Sequence, residues 1–350
     1  MPRLFPILRR TPAKIAAVAL CGAAATVTYS LGLSYYGFWA IPTLVALLLM
    51  TWPLAGGRFF PLACVTALLL LIAIGFNLGT EPLRWSETYS TTSDPWVRVH
   101  HPGEEAPNRM REDYLPAELV TARGSEIEVT LALAGWVNGL WSHSGSNTPS
   151  DPSPFTILDE ARTGARFRCV EYTTIMVAAA QSLGIPARSV GLKTKRAAAA
   201  RSGAGHIVAE VWLSDMGKWV MVDPQTAYVP VLDGLPLNAV ELQQSLVEQP
   251  WSVGILSASG RVPRASAFQY LTWLAPYLYH FDTNADQRVY DNPEDRSGNA
   301  LMLIPAGAEA LHVFQRRFPL TGYTYISHPE LFYAPPVAPG DEAIYTGVGS

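Results

Sequence analysis

The first eighty residues constrain this chain more than any other stretch. They hold five basic residues, Arg3, Arg9, Arg10, Lys14 and Arg58, and no acidic one. Three apolar runs lie within them, at about 15–33, 38–54 and 60–78, punctuated by Gly32, Pro53 and Gly56-Gly57. Each approaches the roughly 20 residues that a helix needs to cross a bilayer. A buried soluble helix rarely runs so long without a charge, so the pattern predicts about three transmembrane helices. Four basic groups precede the first run and Arg58 lies between the second and third. The positive-inside rule then puts the N-terminus in the cytoplasm and, after three crossings, everything beyond about Gly79 outside. The expectation is a multi-pass protein of the plasma (inner) membrane, in contact with the lipid bilayer, whose large domain is extracytoplasmic or periplasmic. The basic start of the first run also suits a cleaved signal peptide. Two spans would then remain as a hairpin, with the large domain still outside. Cys21 is a poor lipidation site, because Leu20 fills a position that wants a small residue.

The rest of the chain is acidic, carrying all 29 Asp and Glu against 20 of the 25 Lys and Arg. No basic run suggests a nucleic-acid partner. Cys21 and Cys64 fall in the apolar runs, which leaves Cys169 as the only thiol beyond them. No disulfide can form within the outer part, and an unpaired thiol in an oxidising compartment is a liability. Its presence therefore argues for a use.

Residues 80–123 are rich in Pro, Glu, Ser and Thr and read as a tether and domain entry. The adjacent His100 and His101 point in different directions, with no Cys/His cluster beside them, and read as a surface loop. Ser125 and Glu128 form a capping box for a helix carrying Ile127, Leu131, Val137 and Trp141. A short helix starts at Ser153, with Pro154 in its first turn and Gly164 past its end. Another starts at Cys169 and is stopped by Gly184 and Pro186. "ARSVGLKT" is a strand and "KRAAAARSGAG" a flexible loop. "HIVAEVWL" and "WVMVD", joined by a turn at 214–217, make a hairpin. A period of two puts His206, Val208, Glu210 and Trp212 on one face of the first strand, and Trp219, Met221 and Asp223 on one face of the second. Glu210 and Trp212 either line a cleft or pack on the core. Further on come a helix capped by Asn238 and Glu241, an aromatic helix over about 268–279, and short strands near Leu301, Leu311 and Tyr323. Asp282, Asn284 and Asp286 have calcium-loop spacing, but Gln287 stands where glycine is needed and the glutamate comes one position late. No metal is expected there.

The chemistry gathers around Cys169. A thiol at a helix N-terminus feels the positive end of the dipole, Arg166 and Arg168 stand close by in sequence, and a neighbouring imidazolium would lower its pKa further. The hairpin brings His206 and Asp223 within about two residues of directly opposite, near enough to pair. A carboxylate on one ring nitrogen fixes the tautomer and frees the other as a base. A cysteine in an Ala-rich helix is ordinarily core, a strand-start histidine ordinarily structural, and an aspartate before proline ordinarily a turn former. Their joint order carries the catalytic reading. Glu171, in the first turn, suits the dipole and opposes thiolate formation slightly.

With "FRCVEYTTIMVAAAQSLGIPARSV", "GHIVAEVW" and "KWVMVDPQ" in this order, the sequence resembles the transglutaminase-like superfamily over roughly residues 124–235. That resemblance implies an α+β, papain-like core with a cysteine at a helix N-terminus packed on an antiparallel sheet, here behind the transmembrane helices. It implies catalytic roles for Cys169, His206 and Asp223. It also makes Trp141, His143 and Asn147, in "WSHSGSN", candidates for oxyanion or substrate contacts. No cofactor is implied, and nothing suggests the calcium dependence of the animal cross-linking enzymes, whose flanking sandwich domains are missing. Residues 236–350 read as a C-terminal extension of the outer domain. The expected activity is acyl transfer or hydrolysis at amide bonds of proteins or peptides, through a thioester on Cys169. The alternatives are a peptidase or cell-wall amidase, or an inactive envelope-binding scaffold, since this fold hosts all of them. The sequence is silent on oligomeric state.

Overall fold

Alternating apolar residues from Ala187 to Val222 build the centre of the fold. The computed structural model describes residues 81–86, 97–291 and 300–337. Strands β1 (Ala187–Lys193), β2 (Gly205–Leu213) and β3 (Lys218–Val222) form an antiparallel meander. It is extended by β8 (His280–Asn284), β9 (Ala300–Leu303) and β12 (Tyr323–Ile326) into a six-stranded sheet of order β12-β9-β8-β1-β2-β3. Only the β12–β9 pair is parallel. A four-stranded sheet, order β5-β4-β6-β7, is made from β4 (Val229–Leu232), β5 (Leu235–Pro236), β6 (Val253–Ser257) and β7 (Gly260–Arg261). A separate hairpin pairs β10 (Val313–Phe314) with β11 (Phe318–Pro319).

Helices α1 (Glu105–Arg109, continued by a π-helical turn to Tyr114), α2 (Ala117–Val120), α3 (Glu126–Gly139), α4 (Pro154–Arg162) and α5 (Cys169–Ser182) precede the meander. Helices α6 (Ala239–Glu248), α7 (Arg264–Leu274) and α8 (Pro329–Phe332) follow it, with a 3-10 turn at Ala275–Tyr277. The chain divides into two units, Thr80–Ala267 with Tyr277–Ser350, and Met1–Gly79 with Phe268–Pro276. Only the last of these four segments is described in the second unit. The apolar runs at 15–33, 38–54 and 60–78 lie outside the described residues. Among the described residues no helix is long and apolar enough to cross a membrane.

The α5 helix shows why the centre holds. It is apolar nearly all round, as befits a helix enclosed on every side. Tyr172, Ile175, Met176, Val177 and Ala178–Ala180 are buried against α3, α4 and the face of the sheet carrying Ala209, Val211, Val220 and Val222. Burying each large member is worth about 1.5–3 kcal/mol. Gly184, at φ +81°, ends the helix in a conformation that glycine adopts without strain. The expected capping boxes form. Glu128 accepts from the Ser125 amide at 2.9 Å, and Asn238 Oδ1 accepts from the Glu241 amide at 2.8 Å.

Two expectations need correction. His100 is not in a surface loop. It is buried, with Nδ1 2.5 Å from Glu104 Oε2 and its amide donating to Gln181 Oε1 at 3.1 Å. The reason is that Val97, Val99 and Met110 carry the segment into the core. The alanine-rich loop 195–204 is packed, because Ala197 and Ala204 are small enough to bury beneath the β10–β11 hairpin. Residues 282–284 of the stretch with calcium-loop spacing belong to β8. There Asp282 pairs with Lys193, and Asp286 Oδ2 lies 2.6 Å from Arg288 Nη2.

Candidate active site

Cys169 is the first residue of α5, and His206 is the second residue of β2. Strand β3 stops at Val222, paired with Ala209, so Asp223 lies just beyond the end of the ladder. Continuing that register puts Asp223 opposite Val208, diagonal to His206. The diagonal spacing lets an imidazole and a carboxylate meet, and His206 Nε2 lies 2.8 Å from Asp223 Oδ2. The other carboxylate oxygen, Oδ1, accepts from the Gln225 amide at 3.0 Å. Gln225 is itself fixed, since its carbonyl accepts from Asn138 Nδ2 at 2.6 Å. Asp223 is fully buried and His206 only 4% exposed.

With Nε2 engaged by the aspartate, Nδ1 is the ring nitrogen left for the Cys169 thiol, to which His206 is hydrogen-bonded. Beyond the end of β3 the edge of β2 is free for other uses. The Ile207 amide there donates to the Cys169 sulfur, and the Ile207 carbonyl accepts from Thr173 Oγ1 at 3.1 Å. Helix and strand are thus stitched together at the point where thiol and imidazole meet.

The electrostatics favour an ion pair. Burial pushes the Cys169 thiol up, but the hydrogen bond and charge of His206 outweigh it, with help from the Ile207 amide, and hold the thiol below its ordinary value. Burial pulls His206 down, and the charge and hydrogen bond of Asp223 overcome that and raise it to about 10. Neither arginine expected to help acts on the thiol: Arg166 is exposed, and Arg168 is engaged elsewhere. Arg168 Nη2 lies 2.6 Å from Glu171 Oε1, while the Glu171 carboxylate also caps the helix through the Arg168 amide at 3.0 Å. Buried Glu171 therefore closes the helix start and neutralises Arg168. Histidine is the cation that reaches the thiol.

Of the other predicted residues, Trp141 packs on the residues that flank the start of α5. It is 8% exposed and packs edge-on to Phe167 at 5.4 Å and on Tyr172 at 4.6 Å. Its indole N–H is buried without an acceptor among the described residues. His143 is exposed yet within electrostatic reach of the site. Burial of its ring and the charge of His206 lower it, while Asp223 and Glu171 oppose them. Asn147 is exposed and spends its amide on the Arg166 carbonyl at 2.9 Å, which ties this stretch beside α5. Glu210 and Trp212 do not line the cleft. Glu210 is a fully buried partner of Arg188 at 2.7 Å, and Trp212 packs on Trp219 at 5.6 Å.

Sequence reasoning missed the supports. Tyr172, one turn after Cys169, donates its hydroxyl to the Trp141 carbonyl at 2.6 Å and fixes that residue. Tyr277 places its ring 6.3 Å from that of His206. A tyrosine at i+3 from the cysteine was a readable signal. Tyr277 carried none, because 71 residues separate it from His206. No group of His, Cys, Asp and Glu among the described residues could hold a metal ion.

This is an α+β domain with helices packed on a largely antiparallel sheet, and residues 113–224 match the transglutaminase-like superfamily. That match spans the helix–sheet unit bearing Cys169, His206 and Asp223, which identifies the segment as a transglutaminase-like domain. A solved structure described as a "putative cysteine protease" from Cytophaga hutchinsonii is similar at 16% identity, with a TM-score of 0.29. The similarity covers 41% of this chain and 46% of that one, so this chain spans less than half of its length. No curated protein matches the sequence significantly.

Proposed function

We propose that the chain is a membrane-anchored thiol enzyme that attacks amide bonds of peptides or proteins outside the cytoplasm. The observation that carries this reading is the buried chain of hydrogen bonds from Cys169 through His206 to Asp223, with the thiol held below and the imidazole above their ordinary values. In this mechanism the Cys169 thiolate adds to the carbonyl carbon, and the His206 imidazolium protonates the departing amine. A thioester remains on Cys169. His206, now neutral, takes a proton from the acceptor, which is water for hydrolysis or an amine for transfer. Asp223 holds the ring in the orientation that both proton transfers need. The unengaged indole N–H of Trp141 supports its assignment as a donor to the oxyanion. The acid-free apolar runs before residue 80 support the membrane anchor and the extracytoplasmic location.

The test is acylation by p-nitrophenyl acetate, followed by peptide mapping. A burst of nitrophenolate with one acetyl group on Cys169, absent in Cys169→Ala, is the expected result. Competition between water and methylamine for that acyl group then separates hydrolysis from transfer. No burst and no adduct would refute an acyl-enzyme and leave the domain as a binding scaffold.

A further inference from the structure

We propose that the β10–β11 hairpin and the loop 195–204 form one wall of the substrate groove, and that this wall selects an acidic peptide. The inference rests on the thiol-enzyme reading and adds a substrate class to it.

Position comes first. A Cβ placed on Gly205 would lie 2.9 Å from Phe314 Cζ, so the Phe314 ring sits directly on the residue before His206. Strand parity puts Gly205 on the same sheet face as Ile207, whose amide reaches the Cys169 sulfur. Two residues of a strand span roughly 7 Å. The hairpin therefore stands on the α5 side of the sheet, about one side chain away from the thiol. The loop is built to hold it there. Gln315 and Arg316, at φ +51° and +63°, make a left-handed turn of a kind that non-glycine residues adopt at a cost. Their amides donate to the carbonyls of Ala197 at 2.8 Å and Ala198 at 3.1 Å, and Arg316 Nε donates to the Ala199 carbonyl at 2.6 Å. The 141–147 stretch, tied to Phe167 and Arg166, flanks Cys169 on the α5 side of the nucleophile.

Charge supplies the substrate class. Residues 187–205 and 310–329 contain no acid. The two lysines of this region are matched, buried Lys193 by Asp282 and exposed Lys195 by Glu81. Arg196, Arg201, Arg316 and Arg317 are exposed, and no ion pair engages them among the described residues. They form a local excess of positive charge on an outer region that is acidic overall. Beside them Phe318 is 48% exposed, with the Arg317 guanidinium 4.9 Å from its ring centroid. Exposed guanidiniums next to an exposed aromatic suit a peptide that brings carboxylates and one apolar side chain.

The experiment uses the full chain and maps labelling at Cys169. Two peptidyl chloromethyl ketones, alike except for Glu in one and Gln in the other, are compared in the wild type and in Arg201→Glu/Arg317→Glu. Both substituted side chains are exposed and lie outside the thiol–imidazole group. The wild type is expected to label about tenfold faster with the Glu probe at low salt, an advantage that shrinks at high salt. The variant is expected to lose or invert it, with an unchanged iodoacetamide rate and an unchanged melting temperature. Rapid iodoacetamide labelling with equal Glu and Gln rates in both proteins would overturn the acidic-peptide assignment and leave the thiol enzyme standing. So would an unaltered Glu preference in the variant. An iodoacetamide rate typical of an ordinary thiol would sink the enzyme reading instead. The wall is then judged by binding of a fluorescent Glu-rich peptide, where equal affinity for wild type and variant overturns it.

Discussion

Replacing Asp223 with asparagine isolates the part of the site that sets its ionisation. The side chain keeps its shape and its acceptor for the Gln225 amide, and loses one charge 2.8 Å from His206 Nε2. In the wild type His206 stands at about 10 against an ordinary 6.5. At about 1.4 kcal/mol per unit, that is on the order of 5 kcal/mol in favour of the imidazolium. Without the carboxylate charge, burial is opposed mainly by Cys169, so the ring's pKa falls well below its wild-type value and the imidazolium is disfavoured. Cys169 then loses the cation that outweighs its own burial, and its pKa rises above the ordinary thiol value. The charge of Asp223 itself opposes the thiolate, but it ranks below the contributions of His206, so losing it does not reverse the direction. The assay is the pH profile of Cys169 alkylation by iodoacetamide, mapped by mass spectrometry. The midpoint is the readout in preference to the rate at one pH, because a more basic thiolate is also a better nucleophile and partly offsets its lower population. The wild-type midpoint should lie below the ordinary thiol value of about 8.5, and the Asp223→Asn midpoint above it. Superimposable profiles would refute the claim that Asp223 acts on the thiol through His206.

Other outcomes follow from the same geometry. In Cys169→Ala the histidine component of the pH dependence stands alone. Asp223 still raises its folded pKa, though the Cys169 contribution to the wild-type value of about 10 is gone, so stability is present in full below about pH 6.5 and lost as pH rises through a value lower than the wild type's, measurable as a falling melting temperature. In the wild type the lowered thiol supplies a gain over much of that window, so the curve should be flatter. Trp141→Phe removes a buried donor with no acceptor, so stability should hold or rise while acylation falls on the order of a hundredfold. A parallel loss of both would mean that Trp141 only packs. Arg188→Met strips the cation from Glu210, which retains the Ala239 amide at 3.0 Å and the Tyr333 hydroxyl at 3.1 Å. Urea denaturation should show a loss of about 3–5 kcal/mol, partly recovered in Arg188→Met/Glu210→Gln, which removes the buried charge and keeps an acceptor for both donors.

The sequence made local features legible and long-range ones opaque. The Ser125 and Asn238 caps, the Gly184 stop and the faces of the β2–β3 hairpin depend on neighbours a few residues apart, and each was readable. So was the meeting of His206 with Asp223, because one short turn sets it. The contribution expected of the arginines to thiol activation shows the opposite case. Arg168 lies next to Cys169 in sequence, yet the capping geometry turns it onto Glu171 and away from the sulfur. His100 looked like loop because its partners, Glu104 and Gln181, become visible only once the segment is folded onto α5. Strand β8 was hidden because its polar sequence, HFDTN, buries its carboxylate through Lys193 instead of following apolar alternation.

Residues 236–337 help to cover the sheet that carries His206. Helix α5 covers one face of the central sheet, while His206 points to the other face along with Arg188, Val190, Leu192, Val208, Glu210, Trp219 and Met221. All of these are buried, which a domain ending near residue 235 could not achieve alone. The cover comes partly from the chain's end. The Phe332 carbonyl accepts from Arg188 Nη1 at 2.7 Å, and the Ala334 carbonyl accepts from Trp219 Nε1 at 2.8 Å. The Arg188 guanidinium lies 4.8 Å from the Phe332 ring centroid and 5.1 Å from that of Tyr333, and the Tyr277 ring stands over His206. Glu210 is four residues along the same strand from His206, so the ion pair that docks the extension also holds the strand carrying the base. Cutting the chain after residue 235 should therefore expose an apolar face with an unshielded Arg188–Glu210 pair, giving protein that aggregates and a Cys169 of ordinary or blocked reactivity. A monomeric fragment with the low thiol pKa of the full chain would show that the extension serves something other than the site.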